Sequence, residues 1–219
     1  GVTTPVFTGA LAGAASAIAS DGGNVVVAGS VDHGSGVRRN AFTAFDGNGV
    51  LLTGFGGGLV QAPGSTRDAP SSQAMVRLST GRIVTGAIVC ETQETWPHTQ
   101  PMCRLDLAGY QADGAIDASF GAGGVATRMF ALDESPVGLR MVADTLDRIV
   151  AAYDLWYPDA GAPGGGWTDV ELLRFGAAGA VDGSFGGGAD RMVFANGAGE
   201  YETLRGLAVD SAQRPLVLI

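Results

Sequence analysis

Gly114-Ala115-Ile116-Asp117-Ala118-Ser119-Phe120-Gly121-Ala122-Gly123-Gly124 occurs along this chain in three versions. The other two are Gly49-Val50-Leu51-Leu52-Thr53-Gly54-Phe55-Gly56-Gly57-Gly58 and Gly179-Ala180-Val181-Asp182-Gly183-Ser184-Phe185-Gly186-Gly187-Gly188. Each contains Phe-Gly-x-Gly, and Phe55, Phe120 and Phe185 stand 65 residues apart. Equal spacing of matched strings marks a repeated structural unit. A second series keeps step with the first: Asn24–Gly29, Arg82–Ala87, Arg148–Tyr153 and Arg214–Ile219 are rich in β-branched residues and follow short polar turns. That is a strand-and-turn pattern. No segment sustains a 3.6-residue period, so no helices are expected.

One repeat reads as four strands, a to d. In the second repeat they fall near Gln73–Leu78, Arg82–Val89, Met102–Leu107 and Val125–Phe130. Four short strands recurring every ~65 residues match the blades of an all-β propeller. The repeats run approximately 12–63, 64–130, 131–194 and 195–219, the last one partial, within a single segment. In the motif, Asp117 with Ser119, and Asp182 with Ser184, are placed to fix a turn by bonding nearby backbone N–H groups. Phe55, Phe120 and Phe185 are expected to be buried between neighbouring blades.

The run Ala112-Asp113-Gly114-Ala115-Ile116-Asp117-Ala118-Ser119-Phe120-Gly121-Ala122-Gly123-Gly124-Val125, with Arg104-Leu105 upstream, resembles the bacterial delta-60 repeat, whose hallmark is roughly ADGSLDTSFGTGGV. The resemblance extends over nearly the whole chain. In the first repeat Leu51-Leu52-Thr53-Gly54 replaces the Ile-Asp-x-Ser string. The resemblance implies a propeller in a secreted or surface bacterial protein. It implies no settled activity, so no catalytic residue is carried over.

Composition bounds the function. The chain has 219 residues and a formal charge of −9, and all 13 basic residues are Arg. A basic nucleic-acid footprint is absent, and no apolar run is long enough to insert in a membrane. Residues 1–20 carry no charge and lack a basic n-region, so they do not read as a signal peptide. Gly is 36 of 219 but follows no three-residue period, which excludes collagen. The length is about 3.4 repeats, whereas a four-bladed ring needs about 260 residues. The ring is therefore incomplete in this chain, and a second copy or another chain or segment is expected to complete it. Two copies would supply about seven blades.

The long b–c connections, Val31–Arg39, Cys90–Pro101 and Asp154–Thr168, fall on one face of such a fold. They hold His33, His98, Trp96, Trp156, Trp167, Tyr157, Glu91 and Glu94. Aromatic and acidic loop residues on a rigid scaffold suit a glycan or protein ligand. Cys90 and Cys103 flank one of these loops. A disulfide would close it and contribute about 3 kcal/mol; the alternative is two buried thiols. Two Cys and one nearby His lack a fourth ligand, so no metal is expected, and no cofactor motif is present. Three readings follow: a binding module acting through the b–c face, a hydrolase or lyase with His98 as acid/base beside Glu94, or a structural spacer.

Overall fold

The computed structural model describes residues 12–20, 23–32, 38–56, 60–61, 72–95, 98–131, 134–158, 166–195 and 201–219. The regular structure of the described residues is all β, with a 3-10 turn at Phe185–Gly187. Four antiparallel sheets follow one another, and none closes on itself. The first contains β1 (Ala12–Ser20), β2 (Asn24–Asp32), β3 (Arg38–Asp46) and β4 (Val60–Gln61). The second contains β5 (Ser72–Arg77), β6 (Ile83–Thr95), β7 (His98–Tyr110) and β8 (Val125–Met129). The third contains β9 (Ser135–Ala143), β10 (Ile149–Pro158), β11 (Gly166–Phe175) and β12 (Arg191–Phe194), and the fourth pairs β13 (Gly206–Val209) with β14 (Pro215–Leu218). Within each sheet the strands pair in sequence order. No helix among the described residues is long and apolar enough to cross a membrane.

The sheets pack face on face. β1 lies against β5, β5 against β9, and β9 against β13, so the first strands of successive sheets are neighbours. Side chains alternate along a strand, and β6 uses both faces. Ile83 joins Val26, Ala28, Phe42 and Phe55 of the first sheet. Val84 and Ile88 join Leu139, Ile149, Ala151 and Tyr153 of the third. Val150, Ala152, Val170 and Leu172 continue the pattern with Leu204, Leu207 and Val217. A strand buried on both faces must be apolar at consecutive positions, which explains Ile83-Val84 and Ile149-Val150-Ala151-Ala152.

The Phe-Gly motif makes the joints. Asp117 Oδ1 accepts from the Ser119 N–H at 3.0 Å and from its hydroxyl at 2.6 Å. Asp182 and Ser184 reproduce both bonds. The first repeat lacks this pair, yet Phe55 N–H still donates to the Leu52 carbonyl at 3.0 Å, as Phe120 does to Asp117 at 2.9 Å. The backbone turn therefore survives without its side-chain bonds. Gly56, Gly121 and Gly186 all have positive φ. At Gly121 a Cβ would stand 2.1 Å from the Val125 carbonyl oxygen, so glycine is required there. Gly56 and Gly121 donate to the next sheet, to the carbonyls of Asp113 at 2.8 Å and Ala178 at 2.7 Å.

Phe120 is fully buried. It fits against Gly109 of its own sheet and Gly179 of the next, where a Cβ would come within 2.5 and 3.0 Å of it. Truncating Phe120 to Ala is expected to cost about 3–5 kcal/mol, read as a lowered denaturant midpoint. Ser184, through its hydroxyl and N–H, and then Arg174 hold the Asp182 carboxyl down at about 2, from an ordinary 3.8. Its folded pKa is depressed, so its stabilisation is present above the unfolded value and disappears as pH falls through about 2. Wild-type stability should therefore fall between about pH 4 and pH 2, and Asp182→Asn should flatten that limb of a denaturation series.

Candidate functional site

Among the described residues, the strand ladders run on into all three b–c connections. β6 and β7 pair without a break from Ile83↔Tyr110 to Thr95↔His98. β10 and β11 pair from Ile149↔Phe175 to Pro158↔Gly166, and β2 and β3 from Asn24↔Asp46 to Asp32↔Arg38. The expectation of loops spanning Val31–Arg39, Cys90–Pro101 and Asp154–Thr168 is corrected for the described residues, which pair as strand up to 32 and from 38, up to 95 and from 98, and up to 158 and from 166; the residues between lie outside the described ones. The physical reason is that continuing the ladder pairs backbone groups which a loop must satisfy otherwise.

This places the sequence candidates. His33 and Trp96 lie outside the described residues. Glu94 registers with Thr99, and His98 with Thr95, next to the tip of the second hairpin; their side chains also lie outside what is described. Cys90 and Cys103 face each other across β6 and β7, with Cα atoms 4.0 Å apart, and are joined by a disulfide. Beside it, Glu91 accepts from Arg104 at 2.7 Å, and Arg104 also donates to Asp106 at 2.9 Å.

The third hairpin gathers the rest. Tyr157 registers with Trp167, and their rings stack at 5.6 Å with a 20° interplanar angle. Trp156 registers with Thr168 and is exposed. Alternation along β11 puts Trp167, Asp169 and Glu171 on one face, with Tyr153 and Tyr157 opposite on β10. Glu171 is 1% exposed. Its carboxylate accepts from Tyr153 at 3.1 Å and Tyr157 at 3.4 Å, and pairs with Arg191 at 3.2 Å. Arg191 also reaches Glu134 at 3.2 Å. Burial pushes the Glu171 carboxyl up, against the opposing pull of Arg191.

Asp169 is buried as well, and one of its carboxyl oxygens has no hydrogen-bond partner. Burial raises this carboxyl, and the charge of Glu202 raises it further. On the opposite face, Asp154 Oδ1 accepts the Leu204 N–H at 2.6 Å. The Asp154 carboxyl is raised by burial and held back by that bond. The Glu202 N–H donates to the Thr168 carbonyl at 2.9 Å, tying the incoming connector to β11.

Glu134, Tyr153, Asp154, Asp169, Glu171, Arg191 and Glu202 include partners from five separate stretches of chain, and the loop-centred reading left most of them out. One sequence signal was available: Asp169 and Glu171 interrupt an otherwise apolar strand face that continues through Leu173 and Phe175. Chemically the cluster offers a flat aromatic stack and buried carboxylate acceptors. Among the described residues, no three His, Cys, Asp or Glu side chains converge as a metal ion would need. No protein-family model and no curated protein matches the chain.

Arg191 neutralises a buried acid whose folded pKa is already raised. A raised carboxyl disfavours the folded state as pH climbs from its unfolded to its folded value. Arg191→Ala should therefore cost about 1–3 kcal/mol at pH 7. The loss should shrink at pH 5, where Glu171 protonates more readily, when the two urea titrations are compared.

Proposed function

We propose that this chain is part of a secreted or cell-surface β-propeller, with each four-stranded meander a blade. On this reading the b–c hairpin end binds a glycan. The blade assignment is supported by three consecutive antiparallel meanders, face-on-face packing and adjoining first strands. The likeness of the repeat to delta-60 sequences points the same way. The Cys90–Cys103 disulfide supports an oxidising, extracytoplasmic location.

The observation that carries the ligand reading is the Tyr157–Trp167 stack on the face that also holds Asp169 and Glu171. Aromatic faces cover the apolar C–H side of a sugar ring, and carboxylates accept from its hydroxyls. The net charge of −9 and the local acids favour neutral or amino sugars over sulfated or phosphorylated ones. A second reading, a hydrolase or lyase at the same end, is favoured by the raised carboxyl of Asp169, one oxygen of which has no hydrogen-bond partner. Such a group suits proton transfer.

An array of neutral, amino and acidic glycans separates these outcomes. The wild type should retain a neutral or amino sugar. Trp167→Ala should retain it at least tenfold less, with an unchanged circular dichroism spectrum. Equal retention by the variant, or capture of acidic glycans alone, would count against the binding site. Release of cleaved sugar, abolished in Asp169→Asn, would select the enzymatic reading instead.

A further inference from the structure

The second and third sheets use equivalent strand positions with opposite charge. Arg104 stands 16 residues before Phe120, and Asp169 stands 16 before Phe185. Val89 and Leu155, which face them across the ladder, are equivalent too, each seven residues past Arg82 or Arg148. In the second sheet the Arg104 guanidinium lies between two carboxylates, Glu91 at 2.7 Å and Asp106 at 2.9 Å. In the third, Tyr157 takes the place of Glu91, and Glu171 that of Asp106. The central cation has become a carboxylate, with an acid on one side of it and an aromatic pair on the other.

This exchange leaves the third sheet short of positive charge. Asp169 is 7% exposed, and one of its oxygens has no hydrogen-bond partner among the described residues. Arg191 reaches Glu171 and Glu134 but makes no ion pair with Asp169. Glu202, also buried, is brought alongside by its N–H bond to the Thr168 carbonyl. Burial, and then the negative charge of Glu202, work against ionisation of Asp169; a cation beside it shifts that balance back. Trp167 lies two residues nearer the hairpin tip on the same face, about 7 Å along the strand. Its ring is half-buried and stacked on Tyr157, and an aromatic face attracts a cation within about 6 Å of its centre. Among the described residues no three acids converge as a metal ion would need, whereas one carboxylate and one ring face suffice for an ammonium group.

We propose that Asp169, together with the Tyr157–Trp167 stack, receives the protonated amino group of an amino sugar, the ligand supplying the cation that Arg104 supplies from within the second sheet. The sugar ring covers the Trp167 side of the stack, and its ammonium reaches inward to the free carboxylate oxygen. This assignment rests on the glycan reading and narrows it to sugars with an unmodified amine. N-acetylation keeps one N–H donor but removes the charge, so the N-acetyl sugar is the discriminating comparison.

The test is titration calorimetry of the whole chain with two oligosaccharides of one linkage and length, glucosamine units with free amines and the same units N-acetylated, at a pH where the amines are charged. Wild type should bind the free-amine form at least tenfold more tightly. Asp169→Asn keeps the shape of the side chain and removes its charge, and should bring the two affinities to within about threefold. Asp113→Asn removes an exposed carboxylate at the opposite end of the second sheet and should leave the wild-type ratio intact, which separates a local contact from general attraction to an acidic chain. Equal affinity of wild type for both sugars, or a preference for the N-acetyl form, would overturn the amine assignment while leaving the glycan reading in place. So would a ratio that survives Asp169→Asn, one that falls as far in Asp113→Asn, or a lysine peptide that displaces the free-amine sugar at equal concentration. Binding of neither sugar would overturn the glycan reading and this inference with it. The wild-type comparison stands even where a variant fails to fold.

Discussion

Burial of one sheet face on the next holds this chain in order, and at each joint an aromatic ring from the Phe-Gly motif is buried in the contact. Phe120 fills a slot bounded by Gly109 and Gly179, so neither glycine can carry a side chain without moving the ring. The third repeat meets the same demand differently. Arg174 occupies the position of Gly109 and lays its guanidinium over Phe185 at 4.7 Å. In the first, Phe55 meets Phe42 edge-on at 5.7 Å. The ring is constant and its surroundings are negotiable, as expected of packing that needs volume and shape rather than a fixed partner.

The polar part of each joint follows a comparable economy. Arg82 reaches Asp117 in its own sheet at 2.8 Å and the Ala177 carbonyl of the next. In the third repeat Arg148 is taken up by Asp144, and Arg174 serves Asp182 instead. The a–b turns add a further tie. Ser79 N–H donates to the Asp147 carboxylate, and Thr145 N–H to the Gln213 side chain. Both acceptor residues adopt positive φ, a conformation tolerated where the surroundings enforce it. Gly81 occupies the corresponding turn position of the second sheet and has no side chain to serve in this way.

The acid cluster at the third hairpin runs against this economy. Burying Glu171 and Asp169 between sheets costs solvation that apolar residues would not lose. Tyr153, Tyr157 and Arg191 recover part of that cost for Glu171. The unpartnered oxygen of Asp169 recovers none. Stability alone would favour a β-branched residue at such a position, so this buried carboxylate beside a stacked Tyr–Trp pair breaks the local packing rule that the rest of the strand follows.

By itself the sequence determined the strand content, the motif turns and the four-strand unit. These rest on local chemistry: β-branched runs, glycines where φ must be positive, and an Asp that bonds its own near neighbours. It also placed Cys90 and Cys103 at the two sides of one hairpin, close enough to join. Only the tertiary structure decided how far the hairpins extend, because ladder pairing depends on a partner strand that composition does not reveal. The acid cluster was hidden for the same reason. Arg191 and Glu134 are 57 residues apart, Leu204 and Asp154 are 50 apart, and they meet only because packed sheets bring distant connectors to the same end.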